Sequence, residues 1–365
     1  MKFLVAICTI LMVFVITLAI YADMPKFGSL PSGKRLERIE KSPNYKNGEF
    51  QNVRPFVVIK PRNLFESLIN FLFAKKQNKC EQQIPSIKTD LINLNKAEEV
   101  LVWFGHSSYF LQIDENRILV DPVFSEVSSP VPFFPKAFPG ANIYQPKDLP
   151  EIDFLVITHD HWDHLDYETV RRLKFKTVIC PLGVGAHLER FGVDSKNITE
   201  MDWDESIAIN EFKIHCLTAR HWSRRKYKKN KTLWASFLVE TPSSFKIFIG
   251  GDGGYGSHFL DIGKKFKNID LAILENGQYN KNWKQIHMHP QETVKAAEDL
   301  RANTLLPVHM AKLALSTHFW NEPLEEITEL SKERKFRLIT PMIGQKVILK
   351  NNNQKFSKWW VFATK

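Results

Sequence analysis

Three of the chain's twelve histidines stand between positions 159 and 164, in the stretch Thr158-His159-Asp160-His161-Trp162-Asp163-His164-Leu165-Asp166. The run that leads into it, Phe154–Thr158, has the apolar pattern of a strand covered on both faces. A fold that accepts this sequence must end a buried strand where imidazoles and carboxylates can converge. Zinc takes both ligand types at ~2.0–2.2 Å, so side chains at a strand's carboxyl end can meet on one ion. His159 and His161, two apart in an extended turn, project to the same side. Asp163 and His164 follow, displaced enough to reach a second ion nearby. Aspartates are ordinary in an exposed turn, but His-x-His-x-Asp-His spacing has no rationale there.

One such motif supplies four ligands, and two metals need more. The chain offers His221 in Ala219-Arg220-His221-Trp222, Asp252 in Gly250-Gly251-Asp252-Gly253-Gly254, and His309 in Leu306-Pro307-Val308-His309. Singly, these read as a loop histidine, a turn former and a core histidine. Together they repeat one placement, a ligand at the carboxyl end of a strand, and a shared metal centre explains the set. Strands are expected at Val100–Phe104, Tyr109–Ile113, Arg117–Asp121, Phe154–Thr158, Thr177–Cys180, Phe212–Thr218, Leu233–Glu240, Phe245–Gly250, Leu271–Leu274 and Thr304–Val308. Phe212–Thr218 alternates apolar and polar residues, predicting a half-buried strand. Helices are expected at Tyr167–Leu173, Gly185–Phe191, Pro290–Ala302 and Glu322–Lys332, with Pro290 suited to a first turn. This order of elements is that of an α/β protein with covered sheets.

The metal motif resembles that of the metallo-β-lactamase superfamily. Trp103-Phe104-Gly105-His106-Ser107-Ser108, Leu119-Val120-Asp121-Pro122-Val123-Phe124-Ser125, Gly251-Asp252-Gly253-Gly254-Tyr255 and His287-Met288-His289-Pro290 narrow the resemblance. They are similar to the branch containing N-acylphosphatidylethanolamine-hydrolysing phospholipase D and its bacterial relatives, in order from Val100 to Gly344. The resemblance implies an αββα sandwich with two zinc ions at one edge between the sheets. One ion falls to His159, His161 and His221, the second to Asp163, His164 and His309, with Asp252 bridging. It also implies a phosphodiester cut releasing phosphatidic acid and an N-acylethanolamine. Asp252 and His287 are the implied catalytic residues, with His287 and Trp162 as substrate contacts. Trp162 replaces a tyrosine common in the phospholipase, and Met310 follows His309 where the family usually has Trp-Gly. No cysteine falls at a metal position, which speaks against antibiotic hydrolysis. Lactone or other ester hydrolysis is the alternative reaction, and a membrane metal-binding protein without turnover is the alternative class.

Gly251-x-Gly253-x-x-Gly256 formally matches a dinucleotide fingerprint, but Asp270 precedes its strand where the ribose-binding acid should follow one. Arg224–Lys231 holds six basic residues in eight, three positions beyond His221. It suits phosphate-bearing substrates or anionic headgroups. Nucleic acid is disfavoured, because no aromatic stacking platform accompanies it. The aromatic, proline-rich Val131–Pro139 reads equally as core packing or acyl-chain contact.

Phe3–Ile20 is uncharged and apolar apart from Thr9 and Thr17, enough for a helix of ~27 Å. Its length favours a retained membrane anchor, and a cleaved signal with export is the alternative. Lys26, Lys34, Arg35, Arg38 and Lys41 follow it, which by the positive-inside rule keeps the body cytoplasmic. The expected organisation is an anchor or signal over 1–22, a tether and N-terminal extension over 23–95 and a hydrolase domain over 96–365. Prolines and glycines interrupt any period in Asp23–Asn52, and an amphipathic helix is expected over Asn63–Lys76. The net charge of +10 makes anionic partners plausible, a phospholipid substrate and a membrane first among them. The four cysteines form no Cys-x-x-Cys, which argues against a disulfide scaffold or a thiolate zinc ribbon. Oligomeric state is left open, a homodimer included.

Overall fold

Successive strand residues point to opposite sides, and in this chain both sides are apolar, so each sheet needs a cover on both faces. The computed structural model, which describes residues 2–56, 78–130 and 133–364, meets that need with four layers. The amino-terminal part carries helices α1 (Lys2–Ala22) and α2 (Gly33–Glu40) and a hairpin, β1 (Tyr45–Lys46) and β2 (Glu49–Phe50). There follow β3 (Val100–Trp103), β4 (Tyr109–Ile113), β5 (Asn116–Val120), β6 (Ile152–Val156), α3 (Tyr167–Val170), β7 (Phe175–Pro181), α4 (Gly185–Arg190) and β8 (Ile198–Met201). The second half runs through β9 (Ser206–Ile209), β10 (Phe212–Leu217), β11 (Ser236–Glu240), β12 (Lys246–Ile249), α5 (His258–Phe266), β13 (Ile269–Glu275), α6 (Pro290–Asp299) and β14 (Ala302–Val308). It ends with α7 (Glu322–Leu330), β15 (Arg337–Leu338) and β16 (Lys346–Ile348).

Two sheets form, in the orders β16-β3-β4-β5-β6-β7-β8 and β15-β14-β13-β12-β11-β10-β9. Each combines an antiparallel part with a parallel part, β5 to β8 in one and β12 to β15 in the other. Parallel neighbours need crossovers; α3 to α7 supply all but the one between β5 and β6, which is a long loop with a 3-10 turn at Pro146–Asp148. Leu101, Trp103, Leu111, Phe154 and Val156 of the first sheet share a core with Ile214, Phe237, Ile249 and Ile273 of the second. Val102, Phe110, Leu155 and Val178 face outward under Val170 and Leu188. Leu238, Phe248, Ala272 and Leu305 do the same under Phe259, Ile262, Val294 and Ile327. The architecture is the αββα sandwich, an αβ sandwich with mixed sheets.

All ten expected strands are present, and the four expected helices are present in shortened form. Phe212–Thr218 departs from expectation: only Lys213 of β10 is exposed, because His215 is buried, bonded to Glu240 at 2.7 Å and packed on Phe266. Asp23–Asn52 is also corrected. Ile39 of α2 and Phe50 of β2 are fully buried in the main core, and Arg35 pairs with Glu200 at 2.6 Å and Glu189 at 2.8 Å. Tertiary contacts fix a segment that has little local propensity of its own. The helix expected over Asn63–Lys76 lies outside the described residues, as do Val131 and Pro132. In the rest of that loop Phe138 packs in the core and Phe133 is 68% exposed.

Among the described residues, α1 is the one helix long and apolar enough to cross a membrane. None of its 21 residues is buried.

Candidate metal centre

The parallel strands all end at one edge, and the polar residues gather there. His159, His161, Asp163 and His164 follow β6, His221 follows β10, Asp252 follows β12, Glu275 closes β13 and His309 follows β14. Their ligand atoms fall into three groups: His159, His161, His221 and Asp252; His106, Asp163, His164 and His309; and Asp252, Glu275, His287 and His309. All seven residues expected at the metals are brought together. Gly251, in a left-handed conformation (φ 61°), lets this edge close, since a Cβ there would lie 2.9 Å from Thr158 Cβ. A helix does open after the glycine-rich turn, but the turn's acid, Asp252, faces the histidines across 3.1–3.2 Å.

The donor set fits bound metal. The Nε2 atoms of His159 and His164 are buried without a hydrogen-bond partner. Their other ring nitrogens are engaged, His159 Nδ1 with Thr158 Oγ1 at 3.0 Å and His164 Nδ1 with Asp121 Oδ2 at 2.8 Å. His221 Nδ1 lies 3.0 Å from the Ile286 carbonyl, and His309 Nδ1 lies 3.2 Å from that of Gly277. Outer contacts of this kind fix a ligand's ring orientation. Two ligand atoms on one tetrahedral zinc are separated by ~3.3 Å, given bonds of ~2.0–2.1 Å. His161 Nδ1 and His221 Nε2 are 3.2 Å apart; His164 Nε2 and His309 Nε2 lie 3.1 and 3.2 Å from Asp252 oxygens. Although burial opposes it, Asp252, Asp163 and Asp121 raise the His164 pKa well above the ordinary histidine value. The negative potential that does so is the one a cation would neutralise.

Other residues of the motif hold the loop itself. Asp160 is buried against Thr232 Oγ1 (2.9 Å), His187 Nε2 (3.3 Å) and the Arg224 N–H (2.9 Å). Asp166 caps α3 and accepts from the Ser125 N–H at 3.0 Å.

A cavity of about 370 Å³ opens above the cluster. His161, Asp163, Asp252, His287 and His309 form its polar floor; Trp222, Trp283, Phe56, Ile286 and Leu315 give it apolar walls. His287, expected at the substrate, lies in it. Trp162 lies outside it, its ring edge-on to Phe27 at 5.2 Å and 4.2 Å from the Arg225 guanidinium.

Two residues absent from the expected set emerge. His106 bonds Asp163 Oδ2 through Nε2 at 2.8 Å, and burial and His309 push its pKa down to about 3. Glu275 accepts from His287 Nδ1 at 2.7 Å and from the Met288 and Gly253 N–H groups. A signal for Glu275 was available: it is a lone acid ending an apolar run, the placement already noted for the other strands.

The sequence profile of the beta-lactamase superfamily domain matches residues 116–310. The chain belongs to the metallo-β-lactamase superfamily. An uncharacterised protein of Mycobacterium tuberculosis is 35% identical over 88% of both chains. The mitochondrial N-acyl-phosphatidylethanolamine-hydrolyzing phospholipase D of Saccharomyces cerevisiae is 32% identical over 67% of this chain and 54% of its own. Among solved structures, the metallo hydrolase Igni18 of Ignicoccus hospitalis covers 69% of this chain and 98% of its own, with a TM-score of 0.53 and 19% identity. That last likeness concerns the superfamily fold alone. Membership and the clustered ligands make the chain a metal-dependent hydrolase of the metallo-β-lactamase superfamily.

Proposed function

We propose that this hydrolase cleaves a phosphodiester, in the manner of a phospholipase D acting on an N-acylated phosphatidylethanolamine, while held to a membrane by α1. One observation carries the reading: Asp252 lies 3.1–3.2 Å from His164 and His309 and 3.8–3.9 Å from His221 and His159, beneath a cavity with aromatic walls whose floor presents His287. In this reading His159, His161 and His221 hold one zinc ion, Asp163, His164 and His309 a second, and Asp252 both. Bound there, such a pair supplies activation of water at neutral pH and polarisation of a phosphoryl oxygen.

The protein's own part is positioning. Burial alone would lower the pKa of His287, but the Glu275 charge and hydrogen bond prevail and raise it to about 9. A cationic imidazole at the cavity floor binds a phosphate oxygen and can give a proton to a departing alkoxide. Trp222, Trp283 and Phe56 exclude water and offer acyl or glycerol carbons an apolar contact. The 32% identity to the yeast phospholipase supports this substrate class.

The deciding experiment incubates zinc-loaded protein with a mixed phospholipid extract and identifies products by mass spectrometry. Phosphatidic acid together with an N-acylethanolamine is the expected outcome. Turnover of lactones or carboxylic esters alone would replace the reading with the ester-hydrolase alternative. Bound metal without turnover of any of these would favour a metal-binding protein.

A further inference from the structure

The segment Arg224–Lys231 borders two sites. Its first half lines a groove at the end of α1 with Ala19, Ala22 and Asp23. Lys229 and Asn230 line the metal cavity. Three Cα steps separate Lys226 from Lys229, a reach of at most ~11 Å. A lipid headgroup layer is ~5–8 Å thick beyond a hydrocarbon core of ~30 Å. The core matches the ~31 Å length of a 21-residue helix. With α1 in hydrocarbon, the cavity rim therefore falls in or beside the headgroups.

The junction is tightly tied. Buried Arg225 donates from Nε to the Lys26 carbonyl at 2.9 Å, and from a terminal nitrogen to the carbonyls of Leu165 (2.7 Å) and Asp160 (3.2 Å). It thus links the exit of α1 to the loop bearing the histidines. Lys226 lies 3.6 Å from Asp23, and the Tyr21 hydroxyl bonds the Pro130 carbonyl. The helix end, the basic segment and the metal loop are one assembly.

Arg224, Lys228 and Lys229 are exposed, and no salt bridge to them occurs among the described residues. Tyr227 is 71% exposed between them. These exposed cations free of salt bridges, two of them near the Tyr227 and Trp222 rings at 6.0 and 4.8 Å, stand at the foot of an apolar helix and are complementary to an anionic bilayer. We propose that Arg224, Tyr227, Lys228 and Lys229 form a docking surface for anionic phospholipid headgroups, which sets the mouth of the metal cavity at the bilayer surface. This rests on the membrane-held reading above and names the lipid charge that reading leaves open.

The test uses the full chain carrying Cys8→Ala and Tyr227→Cys; the remaining three cysteines are buried. A polarity-sensitive fluorophore at position 227 is followed in nanodiscs of phosphatidylcholine with or without phosphatidylglycerol. The expected result is a blue shift only with phosphatidylglycerol, reversed by salt. The shift is lost when Arg224, Lys228 and Lys229 are all changed to Gln. The same emission in both lipids, or no effect of the triple change, overturns the proposal. So does a response to added RNA in place of phosphatidylglycerol, or failure of the full chain to enter nanodiscs. The readout needs no turnover, so a clear shift in a protein that releases no product upholds docking while refuting the phospholipase reading.

Discussion

Glu275 Oε2 accepts the Nδ1–H of His287 at 2.7 Å, and Oε1 accepts the N–H groups of Met288 at 3.0 Å and Gly253 at 3.1 Å. One buried carboxylate thus fixes the imidazole and the loops on both sides of the cavity. In Glu275→Gln the amide oxygen can still serve the two backbone donors. Its NH2 then faces Nδ1, so the ring must accept there and carry its proton on Nε2. We expect kcat on a phosphodiester to fall about 10–100-fold, the usual size for loss of an orienting partner. Metal content by elemental analysis should stay at the wild-type level. Loss of metal in this variant would mean that Glu275 supports the metal site and does not act through His287 alone.

Asp252→Ala should be more severe. The carboxylate lies 3.1 Å from His164 Nε2 and 3.2 Å from His309 Nε2, and within 3.8–3.9 Å of the Nε2 atoms of His221 and His159. No neighbour can substitute for a group that faces both ligand sets. Elemental analysis of wild-type protein should give two zinc ions per chain, and the variant should show fewer with turnover abolished. Normal stoichiometry and normal turnover in the variant would refute the shared-ligand assignment.

Lys312 gives a pH-dependent test of the fold. Its Nζ donates to the Val123 carbonyl at 2.7 Å, and burial lowers its pKa to about 7. In the unfolded chain the ordinary value is ~10.4. Between these values the unfolded state binds one more proton than the folded state, so this group makes stability rise with pH, by up to about 1.4 kcal/mol per unit. Below about pH 7 both states are protonated and the contribution is flat. Urea unfolding from pH 7.5 to 9.5 should therefore show a steeper rise in wild type than in Lys312→Met. Equal slopes would mean that Lys312 stays charged when buried.

The clustering of these seven residues was readable from sequence because each punctuates an apolar strand, and strand ends in a parallel sheet share an edge. Glu275 escaped because it ends its strand without glycine or histidine beside it. His106 escaped for a different reason: its bond to Asp163 spans 57 positions and joins the β3–β4 turn to the loop after β6, a meeting that no local pattern reports. Strands β8, β9, β15 and β16 were missed because edge strands of two to four residues carry little periodicity. Trp162 sits in a motif whose neighbours face the metals, yet its ring turns to Phe27 and Arg225. Only tertiary packing decides between those directions.

The same packing bears on where the chain can be cut. A chain beginning at Met24 loses α1, which contributes nothing to the core. It should become soluble, keep its metal and hydrolyse a short soluble phosphodiester at the wild-type rate, while losing activity on bilayer lipid as local substrate concentration falls. A chain beginning at Phe50 also loses Ile39 and Arg35. Removing a fully buried aliphatic side chain costs about 2–5 kcal/mol, and Glu200, whose side chain is only 10% exposed, is left without its guanidinium partner. With a typical domain stable by only ~5–15 kcal/mol, the shorter chain should unfold at distinctly lower urea and tend to aggregate. The measurement is the urea midpoint of both truncations beside their metal content. If the two unfold together, α2 and its hairpin act as a tether after all, and the hydrolase body begins later than its core contacts imply.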